Sequence, residues 1–124
     1  MKIFNLVLAV AGTLAAALPN PQGRTPPNDG RGATVFKEQN LKGESTSIPS
    51  NLWCTDLNNI FGGFDYRVRS MIVEKGYRCR FYTLWGCPAD AENYEFGSKE
   101  QALAVGELPA WLDRKIHSVW CGEA

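Results

Sequence analysis

The chain has 124 residues, with 13 basic and 13 acidic side chains, one histidine and four cysteines. A length this short holds one domain, and a balanced charge excludes a general nucleic-acid binder, which needs a strong basic excess. Neither a Cys-x-x-Cys pair nor a histidine cluster is present, so the cysteines do not read as a zinc site.

Lys2 precedes an apolar run, IFNLVLAVAGTLAAAL, which holds Ala15, Ala16 and Ala17 near its end. A charged start, a short apolar stretch and an Ala-x-Ala end predict a secretory signal peptide over residues 1–17. The run is short for a membrane span and no stop-transfer pattern follows it. Removing Lys2 with this segment leaves 12 basic against 13 acidic groups, a net charge of −1.

Residues 18–33 contain PNPQGRTPPNDGRGA. Pro, Gly and Asn bury too little apolar surface to offset the entropy of ordering, so this segment is expected to be a flexible leader. The folded domain is then expected over 34–124. An even number of cysteines in a secreted chain predicts two disulfides among Cys54, Cys79, Cys87 and Cys121, and a body this small gains from such staples.

Strand signals dominate the domain. ATVFKEQ, RSMIVEK, YRCRFYTLW and IHSVWC are short, rich in aromatic or β-branched residues, and roughly alternating. Gly and Asn punctuate them at NLKGES, NNIFGGF and EKGY. In SKEQALAVGELPAWL, residues 98–112, the first half suits one helical turn before Gly106 and Pro109 stop it. The pattern predicts an all-β sandwich or Greek-key arrangement.

An internal repeat sharpens that expectation. With Asp65 set on Asp113, an offset of 113 − 65 = 48, Ile60 falls on Leu108, Phe64 on Leu112, Val68 on Ile116, Ser70 on Ser118, Met71 on Val119 and Ile72 on Trp120. Upstream, Val35-Phe36 matches Phe81-Tyr82 at an offset of 46. Two copies of a β unit, about 34–76 and 77–121, are therefore expected to share one core, because one unit alone leaves an apolar sheet face exposed.

The first copy carries Phe36, Gly43 and Ser45 in VFKEQNLKGES, followed later by DYRVRSMIV. This order resembles the Greek-key motif of the βγ-crystallin superfamily. The resemblance implies a folded hairpin that starts at the aromatic, turns on the Gly and is pinned by the later Ser. A Gly suits any bend that needs positive φ. In the second copy Cys87 stands for Leu41, Ala89 for Gly43 and Ala91 for Ser45, so that hairpin must be reshaped. Small secreted fungal members of the superfamily are similar in where their cysteines fall, which suggests a Cys79–Cys87 bridge across the hairpin and leaves Cys54 with Cys121. The two other connectivities stay open.

Many members of this superfamily bind calcium through Asp/Asn, Asp/Asn, two variable residues, Ser/Thr and Ser. Here the two matching segments are Asp65-Tyr66-Arg67-Val68-Arg69-Ser70 and Asp113-Arg114-Lys115-Ile116-His117-Ser118. The first acid and last serine stand in both. The fifth position, which should offer a hydroxyl oxygen, holds Arg69 and His117, and a guanidinium has no lone pair to give. No metal and no other cofactor is expected. Asp65, Ser70, Asp113 and Ser118 are expected to make turn hydrogen bonds instead.

Arg78 and Arg80 share one face of their strand by period 2. If Arg67 and Arg69 lie on a neighbouring strand, the four form a patch for an acidic wall polymer, an anionic lipid or a protein. The bland alternative is a solvated sheet face. Trp53, Trp85, Trp111 and Trp120 invite a carbohydrate reading, although Trp120 is expected in the core and the others in loops. His117 is the only histidine, no Ser-His-Asp set can be built, and nothing places Glu92 and Glu95 across a substrate. The expected function is that of a secreted, monomeric, non-enzymatic binding protein. The resemblance implies an antimicrobial, killer-toxin-like or effector role against another organism's surface or protein. An inhibitor-like binder or a structural extracellular protein is the alternative.

Overall fold

The computed structural model describes residues 27–124. The expected signal peptide and most of the expected leader lie outside the described residues. Eight strands follow: β1 (Arg31–Glu38), β2 (Lys42–Pro49), β3 (Cys54–Asp56), β4 (Ser70–Val73), β5 (Tyr77–Tyr82), β6 (Asn93–Ser98), β7 (Leu103–Val105) and β8 (Ser118–Glu123). A 3-10 turn, Leu57–Asn59, follows β3. The first strand starts inside the segment whose composition suggests a leader. Ala33 is fully buried there and pairs with both Ile48 and Val73, so its neighbours outweigh its local composition.

The strands form two antiparallel four-stranded sheets, ordered β2-β1-β4-β7 and β3-β8-β5-β6. Each sheet takes three strands from one half of the chain and its fourth from the other. β3, from the first unit, pairs with β8, and β7, from the second, pairs with β4. Neither half could complete its sheet alone. The inner faces meet in one core, where Val35, Phe64, Val68 and Met71 sit with Phe81, Leu112, Ile116 and Val119. These are the pairs that the repeat offsets match, so the two copies contribute equivalent side chains to the same interior.

Two details differ from the sequence expectations. Residues 103–105 are strand rather than helical turn, because Met71, Ile72 and Val73 of β4 pair with Val105, Ala104 and Leu103. Backbone pairing at an open sheet edge overrides a weak local helix preference. The disulfides are Cys54–Cys87 and Cys79–Cys121, not Cys79–Cys87 with Cys54–Cys121. Cys79 and Cys121 are direct partners on β5 and β8, and both point into the core with no exposure. Cys87 lies beyond the end of β5, where it reaches Cys54 at the start of edge strand β3.

Each bridge crosses between strands or bends brought together only by folding. By the chain-entropy model, loops of 33 and 42 residues contribute about 4 kcal/mol each. The buried pair also fills core volume, so Cys79→Ala with Cys121→Ala should destabilise more than Cys54→Ala with Cys87→Ala in urea unfolding. A non-reducing digest should give linked peptides containing 54 with 87 and 79 with 121. A peptide linking 79 to 87 would contradict the fold.

Candidate functional site

The two segments that precede β4 and β8 build the site. In each, a turn leads from a core residue, Phe64 or Leu112, to the buried serine that opens the next strand. The main chains of both turns close alike: Arg67 N–H donates to Phe64 O and Lys115 N–H to Leu112 O, each at 2.9 Å. Tyr66 and Arg114 occupy the same left-handed conformation, at φ 62° and 60°, which is uncommon for large side chains and persists only where neighbours enforce it. The enforcement is reciprocal. Tyr66 N–H donates to Ile116 O at 3.2 Å, and Arg114 N–H donates to Val68 O at 3.1 Å.

Ser70 and Ser118 repeat one device. The Ser70 hydroxyl donates to Glu38 O and accepts from Leu41 N–H at 3.0 Å. The Ser118 hydroxyl donates to Leu84 O and accepts from Cys87 N–H at 3.1 Å. Each serine thus ties its strand to a bend that turns through left-handed residues, Asn40 and Leu41 in one unit and Gly86 and Cys87 in the other. Gly43 follows at φ 80°, where an added Cβ would sit 2.8 Å from the Glu38 side chain. Ala89, its counterpart, has no such conformation among the described residues, so the second bend diverges after Cys87.

The acidic and basic residues of the two motifs cross between them. Arg69 holds Asp113 through two hydrogen bonds, Nε to Oδ1 at 3.1 Å and Nη2 to Oδ2 at 2.9 Å. In the other direction, His117 Nδ1 lies 2.7 Å from Asp65 Oδ1. The fifth residue of each motif therefore meets the first residue of the opposite motif. Hydrogen bonding to Asp113 pushes the Arg69 guanidinium above the usual arginine pKa, against an opposing contribution from desolvation. His117 is also stacked between Tyr66 and Trp85, with ring centroids 4.0 Å away on each side.

These residues do not fit calcium. Each of the two carboxylates that stand at the head of a motif already engages a nitrogen of the protein. The positions that should supply hydroxyl oxygens supply a guanidinium and an imidazole, which suit a hard, oxygen-seeking ion poorly. Ser70 and Ser118 are occupied in the hairpin bends. Among the described residues, no three His, Cys, Asp or Glu side chains converge as a metal-binding group.

The four arginines do not form one patch. Arg67 and Arg69 lie in the turn before β4, in the sheet that does not contain β5. Arg69 is committed to Asp113. Arg78 and Arg80 share Glu95 across the β5–β6 ladder, at 3.1 and 3.3 Å, and Arg80 also lies over the Trp120 ring at 4.9 Å. The condition for a shared patch, neighbouring strands, is not met.

Aromatic and aliphatic side chains make the more conspicuous surface. Leu52 and Trp53, before β3, are 69% and 75% exposed; Leu84 and Trp85, in the second bend, are 53% and 43% exposed. The Cys54–Cys87 bridge joins the two segments, as does a 2.8 Å hydrogen bond from Gly86 N–H to Asp56 Oδ1. Trp111 is exposed as well. Trp120 is outside the core, contrary to expectation. Val119 and Cys121 take the inward positions of β8, which leaves Trp120 half-buried on the outer face. Sequence reasoning missed the crossed pairing of Arg69 with Asp113 and His117 with Asp65. The signal was present in the 48-residue offset, which puts an acid at the first place and a nitrogen-bearing side chain, Arg69 or His117, at the fifth place of both copies.

No protein-family model matches the chain, and no curated protein matches it. Solved structures do. One described under the evolution of the eye-lens βγ-crystallin domain fold has a TM-score of 0.62 at 17% identity, covering 82% of this chain and 95% of the other. The N-terminal domain of protein S gives 0.61 at 17% identity, covering 74% and 96%. A βγ-crystallin from Ciona intestinalis gives 0.53 at 21% identity, covering 71% and 95%. The chain has the βγ-crystallin domain fold, as its motif order implied.

Two outcomes follow for the site. Ser70→Ala and Ser118→Ala each leave a buried N–H and a carbonyl without their partner, so each should lower unfolding free energy by about 1–3 kcal/mol, measured by denaturant titration. Unequal effects beyond that range would show that the two serines are not equivalent. Added calcium should leave the thermal midpoint unchanged, since binding to the folded state alone would raise it.

Proposed function

We propose that this βγ-crystallin fold serves as a secreted, non-enzymatic binding protein directed at another organism's surface, in the manner of an antimicrobial or effector protein. Its contact surface is the pair of segments carrying Leu52, Trp53, Leu84 and Trp85 on either side of the Cys54–Cys87 bridge. One observation carries the reading: four large apolar side chains are exposed on two segments cross-linked to each other. Single exposed apolar residues are ordinary, but a clustered group commonly marks an interaction site, and Trp is prominent among residues that dominate binding energy. The bridge holds the two segments before any partner arrives, which lowers the ordering cost of binding.

Two disulfides fit an oxidising compartment outside the cytosol. Among the described residues no helix is long and apolar enough to cross a membrane. The non-enzymatic part of the reading is supported by His117, whose ring is covered on both faces and whose Nδ1 is engaged by Asp65. A purely durable extracellular protein would use the same disulfides and crossed pairs. It would gain nothing from Trp53 at 75% exposure.

The test is a binding assay on intact microbial cells and their isolated walls with the full chain and with Trp53→Ala combined with Leu84→Ala. Both side chains are exposed, so circular dichroism should stay unchanged. The variant should bind at least about tenfold more weakly. Equal binding by both proteins, or no binding of the wild type to any cell or wall preparation, would overturn the reading.

A further inference from the structure

The loop between β2 and β3 is held in a costly shape beside a cavity. Leu52 has φ 67°, a left-handed conformation that a Leu rarely adopts, and such outliers concentrate at functional positions. Three hydrogen bonds secure the loop. Ser50 N–H donates to Gly30 O at 3.0 Å, Trp53 N–H to Asn51 Oδ1 at 3.0 Å, and Trp120 Nε1–H to Leu52 O at 3.2 Å. Beneath it opens a cavity of about 580 Å³ lined by Ser50, Asn51, Leu52, Tyr77, Trp120 and Glu123, within the range of small-ligand clefts. Gly122 makes room for the Trp120 ring and the Leu52 side chain that line it. A Cβ there would come within 2.6 Å of Trp120 Cη2 and 3.2 Å of Leu52 Cδ2.

We infer that this cavity binds a neutral saccharide. The inference rests on the binding-protein reading and names a ligand class for the same end of the molecule. Tyr77 and Trp120 supply aromatic surface for the C–H faces of a pyranose ring. Ser50, Asn51 and Glu123 supply a hydroxyl, an amide and a carboxylate for its hydroxyl groups, an arrangement of few polar groups on an aromatic lining that suits orientation and specificity. The charge on the cavity lining selects against anionic ligands. Arg78 pairs with Gly122 in the β5–β8 ladder, Arg80 lies over Trp120, and both share Glu95. Those three side chains are paired with one another, and Glu123 is the charged group among the residues that line the cavity. A phosphate or sulfate group would meet the Glu123 carboxylate.

The experiment titrates the folded full chain with four neutral probes, cellotetraose, laminaritetraose, chitotetraose and mannotetraose, following backbone amide shifts by NMR. At least one probe should give saturable shifts confined to the amides of 50–53, 77 and 120–123. Trp120→Ala and the exposed Glu123→Ala should each weaken that binding about tenfold or more. Absence of such shifts with all four probes at about 10 mM, or undiminished binding by Glu123→Ala, would overturn the inference. If cells or walls still bind in a manner sensitive to Trp53 and Leu84 while no saccharide does, the ligand class fails and the binding-protein reading stands.

Discussion

Each half of this molecule is closed by the other. The turn before β4 donates a backbone N–H to the turn before β8 and accepts one in return. Arg69 and His117 then reach across to the acids that open the opposite motifs. The short strands β3 and β7 are exchanged between sheets. Two units of a few strands each are marginal alone. Their reciprocal bonds make one cooperative core from two incomplete ones and force Tyr66 and Arg114 into a backbone shape that neither would choose in isolation.

The same contacts decide what the site can do. Where the motif order would leave oxygen ligands for a cation, the protein places a guanidinium and an imidazole, and these reach the acids of the opposite motifs. Asymmetry then enters through the neighbours of the equivalent positions. Tyr66 and Trp85 sandwich His117, whereas Arg69 meets Asp113 in a bidentate pair. The bend tied down by Ser118 carries Leu84, Trp85 and Cys87, while the matching bend tied down by Ser70 carries Asn40 and Leu41. Leu84 and Trp85 are exposed at the tip of one bend, whereas Asn40 and Leu41 are half-buried in the other.

What could be read from the residues follows a physical division. The strong alternating segments ATVFKEQ, RSMIVEK, YRCRFYTLW and IHSVWC overlap β1, β4, β5 and β8, the inner pair of each sheet, where one face is core and a hydrophobic period must show. Strands β3, β6 and β7 lie at the edges, and so does β2, a polar run of Lys, Gly, Glu, Ser and Thr. Edge strands are held by backbone pairing on one side, so their side chains need not alternate. The disulfide connectivity was hidden for a related reason. Cys79 and Cys121 face each other through register, and Cys87 turns outward through a left-handed bend; sequence proximity of 79 and 87 says nothing about either. Trp120 was misplaced because the repeat sets it on Ile72 inside a strand, although its neighbours Val119 and Cys121 already claimed the inward parity.

The crossed side-chain pairs are the claim that most directly separates this account from a simple two-lobed sandwich. A double-mutant cycle on Arg69→Met and Asp113→Asn, read as thermal midpoints, isolates their coupling. The account predicts that each single variant melts lower than wild type and that the double variant melts no lower than the worse single one. Fully additive losses would contradict it, because the two side chains would then act on stability without acting on each other.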